Sequence, residues 1–290
     1  MKLKVKDRNR FRKTIYLLPN LFTVANMVLG IIAIIQSIQN ALSLAHPTNI
    51  LPFVWPARLI LISIFMDFMD GRIARATHTT SKFGIEFDSL SDLVSFGVAP
   101  AILIYLSILR YLNFWGITIA VFYVICVAVR LARFNVQVDV EEKESFMGLP
   151  SPAAAGLIAS YVLLSRWGGW YGKGIFLNRV MGWYQENIEF VQFIVIPCLM
   201  ILISFTMISA IRYPSLKRLN QEKIKPITLV GVALIIFWIF YAAELTSFAL
   251  LFFYLLWGYA HEISKNQMFQ IKNKRNQGEK SATKESEENV

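Results

Sequence analysis

The sequence predicts an all-α, polytopic membrane helical bundle, and three observations carry that prediction. Of the 290 residues, 56% are hydrophobic and only 17% are charged, whereas a soluble domain is usually nearer a quarter charged. The apolar residues gather in runs of about 20, the length that crosses a hydrocarbon core of roughly 30 Å. Lys and Arg are not spread evenly either. With the N-terminus placed in the cytoplasm and eight spans alternating, 24 of the 29 fall on the inner side. This is the positive-inside bias that sets orientation. The net charge of +10 therefore reads as topology and as an inner face attractive to anionic headgroups, not as a nucleic-acid surface.

The eight expected spans lie near 15–38, 54–75, 88–110, 113–134, 150–166, 190–211, 226–241 and 243–261. Ahead of the first, "MKLKVKDRNRFRKT" (1–14) is a basic segment suited to lying among headgroups. The first run is too long for a signal-peptide core and has no convincing small-residue cleavage site, so it is expected to be kept as a span. Residues 39–53 hold no Lys or Arg and form an expected outer loop.

The second and third runs meet in "DFMDGRIARATHTTSKFGIEFDSLSD" (67–92). An ionised carboxylate in lipid costs several kcal/mol, so four of them mark a functional cavity. On a helix, Asp67 and Asp70 lie about 60° apart around the axis, and Asp88 and Asp92 about 40° apart. Each pair faces one way, and a hairpin brings the pairs together at the inner surface. Carboxylates so close repel one another unless cations intervene. A divalent pair, Mg²⁺ or Mn²⁺, suits hard oxygen ligands and clamps the two phosphates of a pyrophosphate. Gly71 and Gly84 leave room for a ligand beside the carboxylates, Ala74 extends the open face, and Arg72 and Arg75 add charge suited to phosphate oxygens.

Asp67-xx-Asp70-Gly71-xx-Ala74-Arg75-x8-Gly84-xxx-Asp88-xxx-Asp92 resembles, at every fixed position, the signature of the CDP-alcohol phosphatidyltransferase family. The resemblance implies a six-helix membrane enzyme, usually dimeric, that uses two divalent cations and displaces CMP from a CDP-linked lipid by an alcohol. It makes Asp67, Asp70 and Asp88 metal ligands. Asp92 becomes a further ligand and the catalytic base. Gly71, Ala74, Arg75 and Gly84 fall at donor-nucleotide positions.

Beyond the motif, "PNLFTVAN" (19–26), "FDSLSDLVSFGVAPA" (87–101), "RLARFNV" (130–136), "FMGLPSPAAAG" (146–156) and "IRYPSLK" (211–217) resemble the membrane-embedded phosphatidylserine synthases of that family. The likeness covers roughly residues 15–217. It implies CDP-diacylglycerol as donor and L-serine as acceptor. At the end of the fourth run, Arg130 and Arg133 lie three apart on one helical face, where arginine suits bidentate contact with the serine carboxylate or a lipid phosphate. Asn135 adds a hydrogen-bonding side chain. Plain anchoring at the headgroups is the alternative. Pro150, Pro152 and the alanines after them predict a helix start packed tightly against its neighbours.

Residues 167–189 contain Trp167, Trp170 and Trp183 and read as an outer interfacial loop. The whole chain then divides into a basic segment (1–14), a catalytic core (15–217), an additional transmembrane hairpin (218–261) of unassigned role, and a polar, Lys/Glu-rich cytoplasmic tail (262–290). Cys126 and Cys198 sit inside apolar runs and read as inert. His46, His78 and His261 are isolated in sequence, and no nucleophile–base–orienter set is visible. The expected protein is thus a homodimeric enzyme of the cytoplasmic membrane, with both termini and the active site facing the cytoplasm. A sister enzyme using glycerol phosphate or inositol phosphate is the nearest rival. Intramembrane prenyltransferases fit less well, because all four carboxylates fall within 26 residues. A cation transporter would carry charges near the midplane of several spans.

Overall fold

The computed structural model describes residues 3–43, 50–77, 82–138, 145–165, 187–209, 211–214 and 248–260. Among them the chain is helical, with one short antiparallel pair. Helix α1 runs over Leu3–Leu42, continuing the basic segment into the first span without a break. A 3-10 turn at Leu51–Phe53 leads into α2, Val54–Thr77. Helix α3 spans Lys82–Ser107 and contains a π-helical turn at Leu93–Val98. Helix α4 covers Phe114–Val138 and α5 covers Ser151–Ser165. Helix α6 occupies residues 188–208, with a π-helical turn at Val191–Val195. Helix α7 is Phe248–Ala260.

Five of these helices are long and apolar enough to cross a membrane, and Ser151–Leu164 and Phe248–Ala260 are shorter apolar helices. They account for seven of the eight expected runs. The run at 226–241 lies outside the described residues.

Side-chain size decides the packing. Helix α5 is buried around its whole circumference from Ala154 to Leu163, as its alanines and small residues predict, and it sits between α2, α3 and α6. Gly156 lets α7 approach: a Cβ there would stand 2.9 Å from Leu251 Cδ1 and 3.2 Å from Ile64 Cδ1. The outer faces of α1, α2, α4 and α6 expose Ile31, Ile35, Phe65, Ile117, Ile125 and Phe205, an apolar girdle suited to lipid.

The helices meet along hydrogen-bonded seams. In α1, Thr23, Asn26, Ala33 and Ser37 are buried on one stripe, and Gly30 completes it. Ser91 Oγ and Ser95 Oγ of α3 donate to the Thr23 and Asn26 carbonyls at 3.0 and 2.9 Å. In the π-helical turn, the fully buried Tyr123 of α4 donates its hydroxyl to the Phe96 carbonyl at 2.8 Å. That carbonyl would be costly to leave unmet in a dry interior.

Two stretches singled out in the sequence also pair. Strand β1 (Ser145–Met147) and strand β2 (Arg212–Pro214) run antiparallel, with Phe146 opposite Tyr213. Gly148 follows β1 at φ +76°, a left-handed backbone favouring glycine. Its N–H donates to the Ile211 carbonyl at 2.8 Å. The pair links the α4–α5 connection to the chain leaving α6.

Candidate active site

One end of the bundle gathers the Thr23–Asn26 stretch midway along α1, the end of α2, the start of α3, the end of α4, the start of α5 and the end of α6. Chain alternation explains this: in an up-and-down array, every second terminus returns to one side. Asp67 and Asp70 sit near the end of α2, and Asp88 and Asp92 in the first turns of α3. One carboxylate oxygen from each of Asp67, Asp70 and Asp88 lies within 4.8 Å of the others. Asp92, one turn beyond Asp88, is only 8% exposed. It stands outside that trio but feels the charge of all three.

Helix α1 braces the acids. Thr23 Oγ1 donates to Asp70 Oδ2 at 3.1 Å, and Asn26 Nδ2 donates to Asp92 Oδ1 at 3.2 Å. The sequence reading assigned neither residue a role. The available signal was the spacing of Thr23, Asn26, Gly30, Ala33 and Ser37, a small and polar stripe on an otherwise lipid-compatible helix.

The other predicted residues separate. Gly71 and Gly84 are half-buried on the same helix segments as the acids. The side chains of Ala74 and Arg75, and the whole of His78, lie outside the described residues. Arg72, expected near phosphate, is exposed and its guanidinium lies 4.5 Å from the Phe68 ring centroid. Arg130 turns inward: its Nη1 donates to Ser151 Oγ at 3.0 Å, and it interacts electrostatically with Asp92 and Tyr254. Arg133 Nη1 instead donates to the Ile208 carbonyl at the end of α6, at 3.1 Å. Asn135 Nδ2 donates to Ser89 Oγ at 2.9 Å, tying α4 to α3 between Asp88 and Asp92.

Asp88 Oδ1, Asn26 Oδ1 and Arg130 Nε are all buried and have no hydrogen-bond partner. Orphaned buried polar atoms are rare and call for a reason. These three surround one site and include an anion, a neutral acceptor and a cation donor. The trio of oxygen donors fits a hard divalent cation, and the Asp88 oxygen without a partner fits a ligand atom. The site can therefore hold metal on one side and an anionic group beside Arg130 on the other.

A family model, CDP-alcohol phosphatidyltransferase, matches residues 16–191. The chain belongs to the CDP-alcohol phosphatidyltransferase family. The match begins just before the α1 stripe and takes in all four aspartates, and α7 lies beyond it. A CDP-diacylglycerol–serine O-phosphatidyltransferase of Helicobacter pylori is 38% identical over 208 residues, covering 71% of this chain and 75% of the relative. A protein of the same name from Mycobacterium tuberculosis is 34% identical over 182 residues, 60% of this chain and 59% of the relative. An archaetidylserine synthase of Methanothermobacter thermautotrophicus is 35% identical over 202 residues, 68% of this chain and 69% of the relative. The bacterial and archaeal relatives differ in the lipid that they name and agree on serine.

Proposed function

We propose that this family member is a phosphatidylserine synthase, which transfers the phosphatidyl group of CDP-diacylglycerol to the hydroxyl of L-serine and releases CMP. The observation that carries the reading is the acidic site itself: three carboxylates converge, and a fourth, one turn beyond Asp88, accepts a hydrogen bond from Asn26 of α1, in a chain whose relatives are serine phosphatidyltransferases.

Asp67, Asp70 and Asp88 would hold two divalent cations, Mg²⁺ or Mn²⁺, with Asp92 at the edge of the cluster. Bound there, the cations would neutralise the pyrophosphate as negative charge moves to the leaving group. The protein's residues do the rest. Gly71 and Gly84 leave room for the nucleotide, and Ala74 and Arg75 belong to the same donor-binding segment. Arg130, buried beside Asp92, receives the serine carboxylate, and this orients the hydroxyl towards the phosphorus that carries diacylglycerol. As the serine oxygen–phosphorus bond forms, the pyrophosphate bridge breaks and CMP departs with the bridging electrons. Asp92 takes the hydroxyl proton. General-base help of this kind contributes about 10²–10⁴-fold, and positioning supplies much of the remainder. The charge bias further supports an active site facing the cytoplasm, and the family resemblance supports a homodimer.

A phosphorylated acceptor, glycerol phosphate or inositol phosphate, would need a denser basic pocket. Among the described residues, Arg130 is the arginine that interacts with Asp92, while Arg72 and Arg133 are engaged elsewhere. The test is purified protein with CDP-diacylglycerol and separate acceptors: L-serine, glycerol 3-phosphate and inositol 1-phosphate. CMP and a phosphatidylserine product are expected with serine alone. EDTA is expected to stop turnover and added Mg²⁺ or Mn²⁺ to restore it. A lipid product made from a phosphorylated acceptor, and not from serine, would overturn the assignment.

A further inference from the structure

Helix α7 lies beyond the segment that the family model matches, which ends at residue 191, yet it is built into the same bundle. Leu251, Tyr254, Leu255, Gly258 and Tyr259 recur at helical spacing on one face. Leu255 and Gly258 are buried, while Phe253 and Trp257 on the other side are exposed, as suits a lipid-facing side. Phe248 meets Tyr161 of α5 with ring centroids 6.3 Å apart, and Leu251 reaches the space that Gly156 leaves open. Towards the other end of the helix, Tyr259 meets Thr206 of α6, hydroxyl oxygen to hydroxyl oxygen at 2.6 Å. Tyr254 stands between these anchors.

What Tyr254 stands beside is Arg130 of α4. A guanidinium carries five N–H donors in a fixed fork. At Arg130, Nη1 donates to Ser151 Oγ at 3.0 Å, and the buried Nε has no partner. Asp92 of α3 and Tyr254 of α7 both interact with it electrostatically. Three helices besides its own thus converge on one cation. Asp92, read as a metal ligand, belongs to the acidic side of the site. Ser151 and Tyr254 are neutral. Neutral oxygens steady a buried cation without cancelling its charge, which leaves the fork open to an incoming anion.

We infer that Tyr254 is a positioning residue for the acceptor: from a helix outside the matched segment, its hydroxyl sets the orientation of the Arg130 guanidinium that receives the serine carboxylate. This rests on the reading of Arg130 as the serine contact. A helix that only sealed the bundle would need no hydroxyl here. Phenylalanine would give the same ring area without an oxygen to desolvate. Tyr254→Phe therefore removes the oxygen alone and separates packing from acceptor binding.

The experiment uses the full-length protein in detergent with Mn²⁺ and CDP-diacylglycerol. For Tyr254→Phe the melting temperature is expected to stay level. The serine KM should rise about three- to tenfold, the range of one hydrogen bond. The KM for CDP-diacylglycerol and the Mn²⁺ concentration giving half activity should match wild type. Tyr259→Phe is the comparison on the same helix: it is expected to lower the melting temperature and leave the serine KM alone. A second measurement adds Tyr254→Phe to Arg130→Lys. Both residues act through one guanidinium, so the serine KM should rise by less than about twofold beyond that of Arg130→Lys. A wild-type serine KM in Tyr254→Phe overturns the inference. So do equal serine KM shifts at Tyr254 and Tyr259, which would make α7 a packing element only. Independent, multiplying effects in the double variant overturn it too, because Tyr254 would then act apart from Arg130. If Arg130→Lys itself leaves the serine KM unchanged, the reading of Arg130 fails and takes the inference with it. A wild-type protein that makes no phosphatidylserine would instead sink the proposed function, and both with it.

Discussion

Arg130 and Arg133 are one turn apart on α4, and the sequence alone treats them as equals. The structure does not. Arg130 is the inward one, bonded to Ser151 and coupled electrostatically to Asp92, with a buried Nε left without a partner. Arg133 donates to the last carbonyl of α6. Arginine binds carboxylate through a planar fork that lysine lacks. Arg130→Lys is therefore expected to raise the serine KM by about tenfold, which corresponds to ~1.4 kcal/mol, with little change in the KM for CDP-diacylglycerol. Arg133→Ala is expected to leave the serine KM alone and lower the melting temperature in detergent by a few degrees, near the ~1 kcal/mol usual for one hydrogen bond. A serine KM that rises for Arg133→Ala and not for Arg130→Lys would reverse their roles. The four aspartates were legible in sequence because a charge in an apolar run is too costly to keep without a function. Thr23 and Asn26 were not: neutral polar side chains are tolerated in spans, and their partners lie 47 and 66 residues away.

At the level of elements, the spans were readable from length and apolarity, while the seams between them were not. A π-helical turn at Leu93–Val98 leaves no mark in hydropathy, because it answers contacts made by α1 and α4. Gly30 shows how much depends on that seam. In Gly30→Ala the new methyl would meet the Ser95 backbone, which has nowhere to go without moving α3. Overpacking of this kind costs about 1–3 kcal/mol. It would also displace Asn26 relative to Asp92, since both flank the contact. Thermal unfolding in detergent and CMP release are expected to fall together. Gly156→Ala offers a comparison. Its methyl would meet the Leu251 and Ile64 side-chain ends, which can rotate aside, so activity is expected to persist with a smaller loss of stability. Equal tolerance at both glycines would mean that the α1–α3 seam does not position the site.

For the whole molecule, five helix ends and the middle of α1 meet on one side, and the charge pattern suggests which way that side faces. The acids, Thr23, Asn26, Arg130 and Ser151 share that side, and Tyr259 near the end of α7 meets Thr206 near the end of α6, their hydroxyl oxygens 2.6 Å apart. The opposite side is closed by Asn40, whose Nδ2 donates to the Pro52 carbonyl at 2.7 Å. Basic residues cluster with the acidic end: Arg72, Arg75 and Lys82 flank the α2–α3 connection, whereas residues 39–53 carry no Lys or Arg. Because such flanking charges resist translocation, they support the proposal that the acidic end faces the cytoplasm, where a soluble amino acid and a nucleotide-activated lipid can both reach it. The check is cysteine labelling in a Cys126→Ala, Cys198→Ala background. Ser43→Cys, in the exposed turn after α1, is expected to react with a membrane-impermeant maleimide on intact cells. Thr80→Cys, between α2 and α3 in sequence, should react only after the membrane is opened. Labelling of Thr80→Cys on intact cells, with Ser43→Cys protected, would turn the bundle over. The site would then face the side to which the basic flanks should not cross, and the positive-inside reading of this chain would fail with it.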